Sequence, residues 1–303
     1  MEIGLHLRSS AQAESFPGLG AHLTLVYGPD KLEKIGAYLP RCVRRFYLGD
    51  EFCVNRMPSE KEFEDLLHLA AAKNRPVSLL TPPLTDEGLA RCLPFFDRLR
   101  SVQPAPEVVA NDWGVFFTLR EAYPELEVGL GRLLNKGFKD PRLPDPERFA
   151  RHSQEAKELL NHCTFDSPVF QERAARLGVR RLERDLLPYG KPRVAGFERF
   201  GVSVYAPFGY FTTGRVCWAA SVHRPPGKKF SLGGSCDRLC ERLPLAFGRS
   251  EGGLTVLQNG NSFFYLYPQA LLASFLRWAR RRRVRVVYQG LAIAPKVGAA
   301  EGG

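Results

Sequence analysis

No run of apolar residues in this sequence reaches the roughly 18 needed to cross a membrane. The first residues hold no apolar core of signal-peptide length either, so a soluble, cytoplasmic protein is expected. No His-Glu-x-x-His pattern appears, which leaves no visible protease metal site, and protease activity is not expected. Gly18-x-Gly20 stops short of the dinucleotide fingerprint. No internal repeat is present. Cysteine is sparse and odd in number, with seven in 303 residues. An odd count in a chain without an export signal argues against a disulfide framework. Metal ligation or simple burial has to account for the thiols.

What is present is an ordinary globular balance, 44% apolar and 25% charged, with a formal net charge of +11. Much of the basic excess sits in Arg277, Arg280, Arg281, Arg282, Arg283 and Arg285. Such a cluster suits RNA or an acidic partner, but equally a solvated helix end, where cations face the negative end of the dipole. The solvated end is the preferred reading.

Short apolar runs at 45–48, 76–80, 108–110, 126–130 and 179–182 read as strands. Residues 22–27 read as another, closed by Gly28-Pro29-Asp30. Helical periodicity lies between them, over 31–39, from Ser59 onward behind a capping box, over 86–99 around Pro94, and over 115–122, 156–160 and 170–177. Strands alternating with helices call for a parallel sheet. The expected fold is α/β, a complete or partial (β/α) TIM-like barrel whose sites lie at the C-terminal ends of the strands. The expected divisions are a barrel over 1–246, a strand pair and helix over 247–297 packed on it, and a mobile tail over 298–303.

The cysteines carry the strongest chemical signal. Cys236 and Cys240 flank Asp237-Arg238-Leu239, and Cys217 precedes them across a loop with Pro225, Pro226, Gly227, Gly233 and Gly234. Glycines let a loop bring thiolates round a metal, and both iron–sulfur clusters and zinc accept them. Spacing alone leaves metal binding and plain burial about equally supported. Cys42, Cys92 and Cys163 lack such context and read as core or surface thiols. His223 reads as a loop residue, and Asp112 as a helix cap.

Several stretches resemble the U-thirty-two peptidase family, often called collagenase-like. They are Phe46-Tyr47-Leu48-Gly49-Asp50-Glu51-Phe52-Cys53, Asn111-Asp112-Trp113-Gly114-Val115, Leu134-Asn135, and Tyr210-Phe211-Thr212-Thr213-Gly214-Arg215-Val216-Cys217 followed by the Cys236/Cys240 pair. The family's Arg-Glu step appears here as Arg184-Asp185. The resemblance implies a [4Fe–4S] cluster on Cys53, Cys217, Cys236 and Cys240. Cys53 in that place is similar to the branch serving oxygen-independent ubiquinone hydroxylation, with prephenate as oxygen donor. That branch implies a heterodimer with a homologous barrel protein. Other members imply RNA base hydroxylation, and a non-catalytic iron–sulfur scaffold or sensor is a third reading. Asp112, Asn135 and Asp185 are the catalytic candidates.

Overall fold

The computed structural model describes residues 1–28, 33–36, 38, 42–104, 106–139, 146–188, 198–230, 236–241, 245–247 and 254–290. Eight strands run parallel and close into a barrel: β1 (Glu2–Leu7), β2 (Arg45–Gly49), β3 (Val77–Thr81), β4 (Glu107–Ala110), β5 (Glu127–Leu130), β6 (Arg181–Arg184), β7 (Gly201–Ala206) and a last strand, Val284–Gln289. The last strand pairs with β7 on one side and β1 on the other, which completes the ring. Strands such as β3 are buried throughout, because helices cover the outside and packed side chains fill the inside. The TIM-like expectation is met in its complete form.

Between β7 and the closing strand the chain builds a second, antiparallel sheet of β8 (Phe208–Thr213), β9 (Leu245–Phe247), β10 (Val256–Asn259) and β11 (Ser262–Leu266), in the order β8-β11-β10-β9. The closing strand is therefore β12. The boundary expected at residue 246 does not follow this fold. The hairpin at 256–266 belongs to the inserted sheet, while Gln269–Arg280 and β12 belong to the barrel. The tail over 298–303, Pro141, Pro144, Gly233 and Gly234 lie outside the described residues.

Residues 22–27, read as a strand, lie instead in a helix, Leu19–Tyr27. Helical spacing lets His22 and Leu23 face the barrel while Leu25 points outward. His22 Nδ1 reaches Tyr288 Oη at 2.6 Å, and Tyr27 Oη donates to the Tyr267 carbonyl at 2.8 Å. The Ser59 capping box forms as expected, with Glu62 answering the Ser59 backbone.

The arginine cluster is partly spent on the fold. Arg285 lies inside the barrel, donating to Tyr47 Oη and Glu107 Oε1, both at 2.7 Å, and to Glu2 Oε2 at 3.0 Å. Arg277 lies over the Tyr38 ring and Arg282 over Trp278. No helix among the described residues is long and apolar enough to cross a membrane.

Candidate functional site

The four predicted cysteines come from separate stretches of chain and lie near enough to one another, at the C-terminal mouth of the barrel, to influence one another's ionisation. β2 ends at Gly49, whose φ of +94° is open to glycine. A Cβ there would collide with the Leu80 carbonyl oxygen. The chain then turns through Asp50-Glu51-Phe52 to Cys53. Asp50 Oδ1 fixes the turn by accepting from the amides of Phe52 at 2.9 Å and Cys53 at 3.0 Å. Its Oδ2 is paired with Arg8 and Arg56.

The inserted sheet supplies the other three thiols. Cys217 follows β8, and Cys240 lies buried in the turn Leu239–Glu241. Asn261 joins the two halves: its Nδ2 donates to the Phe52 carbonyl at 2.8 Å and the Gly214 carbonyl at 2.6 Å. Gly260, at φ +68°, brings the hairpin tip against Cys240; a Cβ there would lie 3.4 Å from the Cys240 Sγ.

The thiols feel one another. Burial pushes Cys53 up to about 12, with Asp50, Cys236 and Cys240 adding to the rise. Burial likewise pushes Cys240 up to about 12, reinforced by Cys217 and Cys236. Mutual repulsion between would-be thiolates is what a bound cation reverses. The donor set, four thiols on turns with one glycine at the wall, fits an iron–sulfur cluster or zinc in its chemistry. Among the described residues no three ligating groups are drawn together to metal-binding distance.

Beside the thiols lies a buried ionic core that joins the candidate Asp185 to residues the sequence does not link to it. Arg132, after β5, donates from Nε and Nη2 to both oxygens of Glu51, at 2.9 and 2.8 Å, and from Nη1 to Asp185 at 2.6 Å. Lys139 Nζ reaches the other Asp185 oxygen at 2.8 Å. Aromatic faces line the pair: Arg132 lies 3.8 Å from the Tyr205 centroid and Lys139 3.6 Å from that of Tyr210. Burial works against the Asp185 carboxylate, but Arg132 and Lys139 outweigh it and hold it below its ordinary range.

Asp185 and Asn135, two of the catalytic candidates, border a small cavity of about 20 Å³ with Arg132, Lys139, Cys163 and Arg184. Such a volume holds about one water. Cys163 differs here from its reading as a plain thiol. Its Sγ lies 3.0 Å from Asp166 Oδ2 and 2.9 Å from Arg184 Nη2, and burial raises it to about 11 despite Arg184. Asn135 Oδ1 accepts from the Phe165 amide at 3.1 Å. Asp112 caps the helix Trp113–Ala122, accepting from Val115 at 2.8 Å and from the Leu84 amide at 3.0 Å. Both Asp112 oxygens are engaged by backbone, the arrangement of a cap. Cys92 is buried, Cys42 exposed, and His223 exposed in the loop after Cys217.

The sequence also spells Gly248-Arg249-Ser250-Glu251-Gly252, a Gly-x-Ser-x-Gly string, in residues outside those described. A nucleophile elbow turns from a strand into a helix. The strands on either side of it, β9 and β10, pair antiparallel.

No family model matches the chain. No curated protein matches it. Among solved structures it is similar to the U32 peptidase Mk0906, with 12% identity, a TM-score of 0.42, and 97% of this chain and 94% of that one covered. A likeness at that level does not extend to activity.

Proposed function

We propose that this chain is the iron–sulfur subunit of an oxygen-independent hydroxylation system acting on a ubiquinone precursor. Cys53, Cys217, Cys236 and Cys240 would hold a [4Fe–4S] cluster, which supplies one-electron redox chemistry when bound. The observation that supports this reading is the nearness of the four thiols, from after β2 and from the inserted sheet, at the barrel mouth where sites belong. The motif pattern around Cys53 resembles that of UbiV within the U-thirty-two family, and UbiV-like proteins work with a homologous partner, UbiU. A UbiU-like barrel protein is accordingly the expected partner. The ionic core of Arg132, Glu51 and Asp185 would stiffen the loop that carries Cys53, since Glu51 stands two residues before it.

Anaerobic purification followed by iron, sulfide and zinc analysis tests the reading. Iron and sulfide in equal amounts are expected. Each of Cys53→Ala, Cys217→Ala, Cys236→Ala and Cys240→Ala should sharply lower iron and visible absorbance, while Cys42→Ala and Cys92→Ala should leave both unchanged. Stoichiometric zinc in place of iron would turn the site into a structural zinc centre. Coexpression with the homologue should yield a heterodimer on size exclusion.

A further inference from the structure

The loop after β8 carries a basic surface with exposed apolar side chains. Residues 208–230 include Arg215, Arg224, Lys228 and Lys229 and no carboxylate. Among these cations stand four exposed apolar side chains, Val216, Trp218, Val222 and Phe230, with Val222 at 58%, Phe230 at 48% and Trp218 at 44% exposure. Proteins seldom leave such side chains together in water without a use for them.

Phe230 is held there against its own preference. Its φ is +58°, a left-handed conformation that a bulky residue rarely adopts. One hydroxyl maintains it: buried Ser221 accepts from the Phe230 amide at 3.1 Å and donates to the Cys217 carbonyl at 2.9 Å. The turn Ala219–Ser221 in turn packs against Leu239–Glu241, which carries Cys240. The same few atoms thus set the exposed aromatic ring and two of the candidate ligands.

We propose that this surface docks a small acidic electron-carrier protein of the ferredoxin or flavodoxin kind, directly over the cysteine site. The proposal rests on the iron–sulfur reading of that site for the carrier's identity. Basic residues interleaved with exposed apolar ones along one loop suit the small, transient, salt-sensitive interfaces of redox partners. The aliphatic share of the patch, Val216 and Val222, offers no stacking face, which disfavours a single-stranded RNA track.

The test measures binding of an acidic [2Fe–2S] ferredoxin to the full chain, with iron content determined on the same sample. Binding should weaken at least about tenfold between low and physiological salt. The double variant Lys228→Glu/Lys229→Glu should weaken it by a comparable factor at low salt. Phe230→Gly relieves the backbone and removes the ring, so it should bind several-fold less tightly with an unchanged or raised Tm; a lowered Tm with full binding would make Phe230 structural and overturn its part in the surface. Iron-loaded protein that binds no carrier, or binds it equally in the charge-reversed variant, sinks the docking surface and spares the cluster. Protein without iron that still binds in a charge-dependent way does the reverse. Tight, salt-sensitive binding of a 20-nucleotide RNA, lost in the same double variant while the ferredoxin fails to bind, would overturn the proposal in favour of RNA.

Discussion

Arg132 shows how much of this site is invisible residue by residue. Its side chain is 1% exposed, and those of its carboxylate partners Glu51 and Asp185 are 0% and 2% exposed. Removing one member of such a group strands a buried charge, so Arg132→Ala should destabilise the fold by about 3–5 kcal/mol in urea titration. A loss below about 1 kcal/mol would mean that water replaces the guanidinium. Glu183 gives the pH counterpart. It lies fully buried inside the barrel, Tyr47 Oη donates to its Oε1 at 3.1 Å, and its Oε2 has no partner among the described residues. Burial raises its pKa to about 7, and the nearby Glu107 carboxylate adds to the rise. A carboxyl whose folded pKa is raised contributes stability that is complete below its ordinary range and lost as pH climbs through the folded value. Stability should therefore fall between about pH 5 and 8, and Glu183→Gln should flatten that fall in denaturation midpoints taken across the range. Asp185 stands among the sequence's candidates and Glu51 in a motif, but nothing in the sequence couples them to Arg132, Lys139 or Glu183. Residues 51, 132, 139 and 185 share no local spacing, and only barrel closure brings them together. The cysteines were legible because thiols are few and three fall close together in the chain.

At the scale of elements, the strands and most helices follow from local pattern, and the exceptions have causes. Residues 22–27 contain Thr24, Val26 and Tyr27, side chains common in strands, yet they pack as a helix because His22 and Tyr27 find partners on β12 and beyond β11. Long-range contact overrode propensity there. Two short contacts between elements can be tested directly. Asp112→Ala should cost about 1–2 kcal/mol through the lost helix cap, with iron content unchanged, which separates a cap from a catalytic carboxylate. Asn261→Ala cuts both hydrogen bonds that tie the Cys53 turn to the Cys217 loop. Its stability cost should be about 1–3 kcal/mol, but its larger effect should be faster iron loss to a chelator. Wild-type iron retention in Asn261→Ala would show that the two loops meet without the clamp.

The whole molecule reads differently from the sum of its segments. From the sequence the barrel is expected to end near residue 246, because the early strand–helix units are regular and the chain then turns aromatic, glycine-rich and hairpin-like. Sheet order reverses that: the cysteine-bearing sheet is an excursion between the seventh and eighth strands, and the chain returns to finish the barrel with Gln269–Arg280 and β12. Nothing local could reveal the return, since β12 gains its place only by pairing with β1 and β7, both far from it in the sequence. The consequence is sharp. A chain ending at residue 246 would lack Leu272, Phe275, Leu276, Val284, Val286 and Val287 from its core and would leave the facing edges of β1 and β7 unpaired. Open, apolar strand edges seek other chains. Truncation at residue 246 should therefore give aggregated protein without a cooperative melting transition, judged by circular dichroism and size exclusion. Removing the sheet instead, by joining Ala206 to Tyr267 through a short flexible linker, keeps all eight strands. That shortened chain should retain helical and parallel-sheet signal at reduced stability while losing all bound iron. If the 1–246 piece melted cooperatively and the sheet-deleted one did not, the inserted sheet and not β12 would be what closes the molecule.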